Sequence, residues 1–270
     1  MESGLKDKHI LITGASGGIG LACAQVFASE GSRLSLHYNQ NEQPVKEFKK
    51  KHKKTEIFTC KADLRFDKEV KELCSKINEK MGRIDVLIVN HGIWPKEYSN
   101  IHDLPISRFT NTINTNLISS FLCSKYFMKQ LLDFQDDDAA IVFIGSTAGV
   151  FGEAGHVDYS VSKFGLMGLV MSLKNEIVAI ARSGRVNIVS PGWTVTPMTE
   201  EFMDNHDMIK TVLQTMPLRK IAKAEDIANS VLFLSSSKLA GHISGQNIVV
   251  AGGMEGRLLF EKEEININKI

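Results

Sequence analysis

The sequence predicts an α/β fold: a doubly wound parallel β-sheet flanked by helices on both faces. Three observations carry this. Seven short runs rich in Ile, Val and Leu recur along the 270 residues, at 9–13, 33–37, 56–60, 84–89, 139–144, 185–189 and 246–250. Most show little polar alternation, as strands covered on both faces do. Segments of helical length separate them, and hairpin signals are few, so successive strands are joined by crossovers.

Taken in order, the run at 9–13 leads straight into a glycine-rich turn and a helix over 20–29. Strands at 33–37 and 56–60 follow, then a helix over 67–81 whose apolar residues recur at helical spacing. The runs at 84–89 and 139–144 lead to a long helix over 159–182, and the runs at 185–189 and 246–250 complete the sheet. Two segments break this rhythm. Residues 194–217 hold four Met between a Pro-Gly turn and a second Pro, and read as an irregular or mobile insert. Residues 255–270 are a mixed charged and apolar extension that docks on the body or on a neighbouring subunit, or is disordered. Six prolines, no Gly/Ser linker and no repeat period leave no boundary, so one domain over 1–270 is expected.

Composition excludes several classes. Hydrophobic residues make up 43% and charged residues 23%, which is globular. Basic residues number 32 and acidic 31, a net charge of +1 that lacks the basic excess of a nucleic-acid or membrane-surface protein. Cys23, Cys60, Cys74 and Cys123 are far apart and form no Cys-x-x-Cys, so buried free thiols are expected and no metal site or disulfide framework. No apolar run approaches the roughly 18 residues of a membrane span, and residues 1–8 carry no apolar signal core. A cytoplasmic protein with a small-molecule partner is the expectation.

The first strand ends in Thr13-Gly14-Ala15-Ser16-Gly17-Gly18-Ile19-Gly20. Glycines there let the backbone turn sharply and approach a pyrophosphate held at the following helix N-terminus. No Gly-Lys-Ser/Thr follows, so this is no Walker loop. At the end of the second strand, where an NAD site places an acid on the ribose 2′-hydroxyl, stand Tyr38 and Asn39. The missing acid permits NADP. Lys46, Lys49 and Lys50 further on read as a solvated helix face.

Tyr159 and Lys163 are four apart, on one face of a helix. An ammonium about 5 Å from the phenol, at an effective dielectric near 20, favours the phenolate by roughly 3 kcal/mol, or about two pKa units. Ser146 ends a strand, where an open α/β sheet places ligand-binding residues.

In their order and spacing these residues resemble the short-chain dehydrogenase/reductase superfamily, in its compact single-domain branch, over about residues 5–253. The resemblance rests on the 13–20 loop, Asp63-Leu64, Asn116, Ser146, Tyr159-x-x-x-Lys163 and Pro191-Gly192. It implies a Rossmann-type fold and a catalytic tetrad of Asn116, Ser146, Tyr159 and Lys163. Tyr159 would exchange the proton with the substrate oxygen, Ser146 would bind that oxygen, and Lys163 would bind the nicotinamide ribose and lower the Tyr159 pKa. Asn116 would hold a water. Gly14, Ser16, Gly18 and Ile19 would line the dinucleotide, with Tyr38, Asn39, Asn90, Gly92, Pro191 and Gly192. Asp63 and Leu64 would meet the adenine, and Thr196 the carboxamide. NADP (NADPH) is favoured and NAD stays open, because Gly17 stands where many NADP-dependent members carry a basic residue. Val89-Asn90-His91-Gly92 departs from the frequent Asn-Asn-Ala-Gly, and His91 reads as packed and hydrogen-bonded rather than reactive. Ala251 replaces the aspartate of the frequent Asp-Gly-Gly.

Trp94, Phe151, Trp193, Met198 and Met203 are expected to edge the substrate pocket, with Glu153, His156 and Glu97 as polar contacts; the same residues could serve only to pack the loops. Apolar positions surround most of the 159–182 helix, which together with the resemblance implies a homo-oligomer, a dimer or a tetramer. The expected activity is hydride transfer between a nicotinamide and a carbonyl or secondary alcohol, as in a 3-oxoacyl thioester or general ketone reductase. A sugar or polyol dehydrogenase, and a non-catalytic NAD(P)-binding sensor or scaffold, are the alternatives.

Overall fold

In the computed structural model, which describes residues 2–134, 136–200 and 204–266, each of the seven apolar runs forms a strand. The order along the chain is β1 (His9–Ile12), α1 (Gly18–Ser29), β2 (Arg33–Tyr38), α2 (Gln43–Lys51), β3 (Ile57–Lys61), α3 (Asp67–Met81) and β4 (Val86–Val89). Then come α4 (Ile106–Ile113), a π-helical turn (Asn114–Ile118), α5 (Ser119–Leu131), β5 (Ala140–Ile144), α6 (Ala148–Phe151), α7 (Val157–Glu176) and β6 (Arg185–Pro191). The chain continues with β7 (Thr194–Val195), α8 (His206–Leu213), β8 (Ala222–Lys223), α9 (Ala224–Ser235), α10 (Ser237–Ala240) and β9 (Asn247–Val250).

Seven strands form one parallel sheet in the order β3-β2-β1-β4-β5-β6-β9, and β7 and β8 pair separately. Strand β1 lies between β2 and β4, with Ile10 opposite Leu34 on one side and Val86 on the other. The chain reverses its direction of winding there, so the C-terminal ends of β1 and β4 flank the crevice in which such sheets bind ligands.

Side-chain alternation along the strands feeds two apolar layers. Leu11, Leu87, Ile141 and Phe143 pack with Ile77, Phe127, Leu166 and Val170 of α3, α5 and α7. Ile10, Ile12, Ile88 and Val142 point the other way, onto Phe27, Ile227 and Val231 of α1 and α9. Each fully buried aliphatic or aromatic side chain is worth about 1.5–3 kcal/mol, which explains why the strands need apolar residues at successive positions. All four cysteines are free and buried within these layers, as expected.

The two irregular segments pack on each other. The stretch read as an irregular insert contains α8, whose N-cap Asn205 accepts the Met208 N–H at 3.0 Å. Ile209, Leu213 and Met216 form a third apolar cluster with Phe260 and Ile265 of the C-terminal extension. The Leu259 N–H donates to the Gln214 carbonyl at 2.7 Å, Gln214 Nε2 donates back to the Phe260 carbonyl at 2.8 Å, and the Arg219 guanidinium lies 3.7 Å from the Phe260 ring centre. Residues 255–266 therefore dock on the body of the same chain. Among the described residues, no helix is long and apolar enough to cross a membrane.

Candidate active site

A cavity of about 850 Å³ opens at the C-terminal ends of β1, β4, β5 and β6. At its phosphate end, Gly14 has φ +61°, and a Cβ there would lie 2.8 Å from the His91 Cα. A Cβ on Gly18 would lie 2.9 Å from the Thr196 side chain. Gly14 therefore requires glycine, a Cβ on Gly18 would displace Thr196, and Gly17, Gly18 and Ile19 at the opening of α1 line the cavity. Asn90 Nδ2 donates to the carbonyls of Thr13 (3.0 Å) and Gly14 (2.9 Å), tying the loop to β4.

His37 supports the loop from beneath. Its Nδ1 accepts the Gly14 N–H at 3.1 Å, and its Nε2 lies 3.0 Å from the Ala62 carbonyl, to which it donates. Burial pushes its pKa down to about 4, so it is neutral and fixed in one tautomer. Tyr38 departs from expectation. Alternation along β2 turns it away from the cavity, into the layer with Val45 and Phe48, where its hydroxyl bonds to Glu42. The wall at this end is instead made by His37, Asn39, Gln40, Asp63, Leu64 and Arg65. Arg65 Nε donates to both Asp63 oxygens, at 2.9 and 3.1 Å, and this guanidinium is the cation missing from the sequence reading of this end.

At the reacting end, Ser146 follows β5 and its Oγ accepts the Ala148 N–H at 3.1 Å. The Tyr159 phenol, near the start of α7, shares a hydrogen bond with Ser146. Lys163 stands one turn further, its Nζ 5.8 Å from the Tyr159 ring centre and donating to the Ile144 carbonyl at 2.9 Å. The phenol pKa, expected to be lowered by Lys163, is set in the protein by other groups. Burial drives Tyr159 up to about 12; the Ser146 hydrogen bond opposes this, and the Glu153 charge adds to it. Burial likewise draws Lys163 down to about 8. For both groups burial, which penalises the charged form, is the largest cause.

Asn116 is buried in the π-helical turn and does not line the cavity. Its Oδ1 accepts the Ile93 N–H at 2.8 Å, while Nδ2 donates to the Ile93 carbonyl (2.9 Å) and Ser162 Oγ (3.0 Å). Both side-chain donors are committed, and the side chain clamps the 90–93 segment to Ser162 of α7. His91 has the packed role expected of it. Its Nδ1 lies 2.8 Å from Thr13 Oγ1 and its Nε2 2.6 Å from Ser119 Oγ, and burial pushes its pKa down to about 3.

Trp94, Trp193, Met198 and Glu153 line the substrate side together with Tyr159. Phe151 does not; it is 42% exposed and lies beside Gly256 of the extension, whose added Cβ would be 3.3 Å from its ring. Met203 lies outside the described residues. His156 is buried behind Trp94, stacked at 4.9 Å, and Glu97 contributes only its carbonyl, which accepts Arg108 Nη1 at 2.6 Å. Gly14, Ser16, Gly18, Ile19, Asn39, Asp63, Leu64, Asn90, Gly92, Pro191, Gly192 and Thr196 all line the cavity.

A family model described as enoyl-(acyl carrier protein) reductase matches residues 14–255. The chain is also 34% identical, over 252 residues, to a 3-oxoacyl-(acyl-carrier-protein) reductase FabG of Staphylococcus epidermidis, covering 92% of this chain and 99% of that one. The protein belongs to the short-chain dehydrogenase/reductase superfamily. Solved structures agree in fold. The crystal structure of gox2181 superposes with a TM-score of 0.86 at 23% identity, over 92% of this chain and 96% of that one. A putative gluconate dehydrogenase from Agrobacterium tumefaciens gives 0.86 at 25% identity, over 93% and 96%. As a short-chain dehydrogenase/reductase, the protein is an NAD(P)-dependent oxidoreductase.

Within this short-chain dehydrogenase/reductase, sequence reading missed His37, Arg65, Thr115, Ser119, Thr147 and Thr199 in the cavity wall. Arg65 had a signal, two residues past Asp63. The hydroxyls of Thr115 and Ser119 had none, because a helix face turned toward a ligand looks the same in sequence as one turned toward solvent.

Proposed function

We propose that the protein reduces a small carbonyl substrate with NADPH, in the manner of a 3-oxoacyl reductase, through Ser146, Tyr159 and Lys163. The observation that carries this reading is the Ser146–Tyr159 hydrogen bond facing the same cavity as the glycine loop. The residues fit a dinucleotide. Gly14 and Gly18 leave a cradle that a Cβ would fill, and a Cβ on Gly92 would lie 3.2 Å from Asn116 Oδ1.

When bound, the nicotinamide supplies the hydride. Ser146 Oγ donates a hydrogen bond to the carbonyl oxygen as negative charge develops there. Tyr159 gives that oxygen its proton, so hydride and proton together convert the carbonyl to an alcohol. Lys163 binds the ribose hydroxyls and steadies the phenolate left on Tyr159. Asn116 holds Ile93, and with it the cavity floor, against α7. In the oxidation direction the same groups act in reverse.

NADPH is favoured because the cavity-lining residues that follow β2, Asn39 and Gln40, carry no carboxylate that would repel a 2′-phosphate, and Asp63 beyond them is paired with Arg65. Glu42, the nearby acid, is paired with Lys46 at 2.7 Å. A second reading, a sugar or polyol dehydrogenase, draws on the polar Glu153 in the substrate wall. The reading further takes residues 1–270 as one dinucleotide-binding oxidoreductase domain with a short extension at 255–270, acting in the cytoplasm as a homo-oligomer. Fluorescence titration with NADPH and NADH, followed by turnover of a 3-oxoacyl thioester and a panel of ketones and polyols, tests it. Preferential NADPH binding with thioester reduction is expected. Tighter NADH binding with turnover of polyols alone would replace it with the second reading.

A further inference from the structure

The substrate side of the cavity carries a carboxylate that carbonyl reduction does not require. Glu153 lies between α6 and α7, its backbone N–H donating to Ser160 Oγ at 3.0 Å. Its side chain accepts a hydrogen bond from Trp94, and Oε1 stands 3.6 Å from His156 Nδ1. His156 is locked in turn by stacking on Trp94 with ring planes 21° apart. Gly155 lets the Tyr98 ring close over this cluster, since a Cβ there would lie 2.3 Å from the ring. A carboxylate offers about four acceptor positions, and Trp94 and His156 occupy at most two. The remainder face the cavity that Glu153 shares with Ser146 and Tyr159.

The cations of the cavity do not cancel this charge. The Lys163 ammonium donates to the Ile144 carbonyl and, among the described residues, forms no ion pair with Glu153. Lys96 also borders the cavity but is exposed, where water screens it, whereas Glu153 is partly buried. Burial raises the Glu153 pKa while His156 and the Trp94 hydrogen bond hold it down, and its carboxylate adds to the upward shift of Tyr159.

We propose that Glu153 is a specificity-determining residue that turns away free oxo acids and restricts the enzyme to carbonyl compounds whose neighbouring carboxyl is masked as an ester or thioester, or absent. The inference rests on Ser146 and Tyr159 being the reacting pair. It explains how an enzyme of this kind would leave soluble oxo acids untouched while reducing their activated derivatives: a second carboxylate beside Tyr159 would meet an ion of like charge in a partly dehydrated cavity.

The test compares ethyl acetoacetate with acetoacetate, two substrates that share the reacting ketone and differ in one charge. With NADPH, the parent enzyme is expected to favour the ester by roughly tenfold or more in kcat/KM. Glu153→Gln, which keeps an oxygen for the Trp94 indole, is expected to reduce that ratio to within about threefold of unity. Losses common to both substrates, including imperfect folding, cancel in the ratio. A ratio unchanged by the substitution, or a parent enzyme that prefers the acid, overturns the proposal. If the parent turns over neither compound, thioester turnover by the parent and by Tyr159→Phe decides about the reacting pair, and calorimetric binding of the two compounds to the NADPH complex decides about Glu153. Preferential ester binding that Glu153→Gln abolishes supports the proposal, and equal binding of both overturns it.

Discussion

At Tyr159 burial and hydrogen bonding act in opposite directions, and burial wins. A phenol held at about 12 keeps its proton throughout the neutral range, which suits a group that must donate it to a reduced carbonyl. Tyr159→Phe removes that proton and little volume. It is expected to lower kcat by about 100-fold or more while leaving NADPH affinity within about twofold, measured by steady-state kinetics and fluorescence titration. The residue before it is held by a buried ion pair. Asp158 is fully buried and accepts Arg108 Nε at 3.1 Å, Arg108 Nη2 at 3.2 Å and Thr112 Oγ1 at 2.9 Å. Burial tends to raise the Asp158 pKa, but these donors more than offset it and the net shift is downward. Arg108→Leu leaves the carboxylate buried without its cation and is expected to cost about 3–5 kcal/mol in urea unfolding at pH 7. The depressed pKa makes the contribution of Asp158 present above the unfolded value near 3.9 and lost as pH falls through the folded value. The gap between parent and variant should therefore close in acid, and a gap that stays constant to pH 3 would contradict the assignment.

The elements divide into those that carry chemistry and those that hold them. Helix α7 supplies Tyr159 and Lys163 one turn apart, and the π-helical turn before α5 places Asn116 where its amide reaches both the 90–93 segment and Ser162. The extension works through α8. Its Phe260 and Ile265 cover Ile209, Leu213 and Met216, and one bond to the main-chain carbonyl and one from the side-chain amide of Gln214 fasten it there. Deleting residues 255–270 uncovers this cluster next to the wall formed by Trp193 and Met198. The expected result is faster hydrogen exchange over 206–216 and a substrate KM raised severalfold, with NADPH affinity nearly unchanged. An exchange pattern identical to that of the full chain would show that the extension carries no load.

On the scale of the whole molecule, α7 and the turn over 177–179 that follows it leave an apolar face exposed among the described residues. Val161, Phe164, Met171 and Val178 are 44%, 69%, 46% and 49% exposed, and Ile118 and Phe121 on the neighbouring segment are 42% and 47% exposed. Exposed apolar patches of this kind mark contact surfaces in soluble proteins. Light scattering at micromolar concentration is expected to give a dimer or tetramer mass, reduced by Phe164→Glu. A monomer mass for the parent chain would refute this assembly.

The seven strands and α3, whose bounds of 67 and 81 match the expected helix, were legible because burial on both faces demands apolar runs and an amphipathic helix demands a 3.6-residue period. The glycine loop, Ser146 and the Tyr159–Lys163 pair were legible for a similar reason, since their chemistry depends on spacing along one element. What the sequence left open depends on contacts between elements distant in the chain. Strand alternation decided that His37 and not Tyr38 faces the cavity, and Phe151 lies beside Gly256 of the extension and off the cavity wall. The commitment of the Asn116 amide to Ile93 and Ser162, and the upward shift of Tyr159, follow from burial, which depends on the assembled fold. Local spacing selected the residues of this site, and the tertiary structure set the orientation, protonation and charge of each.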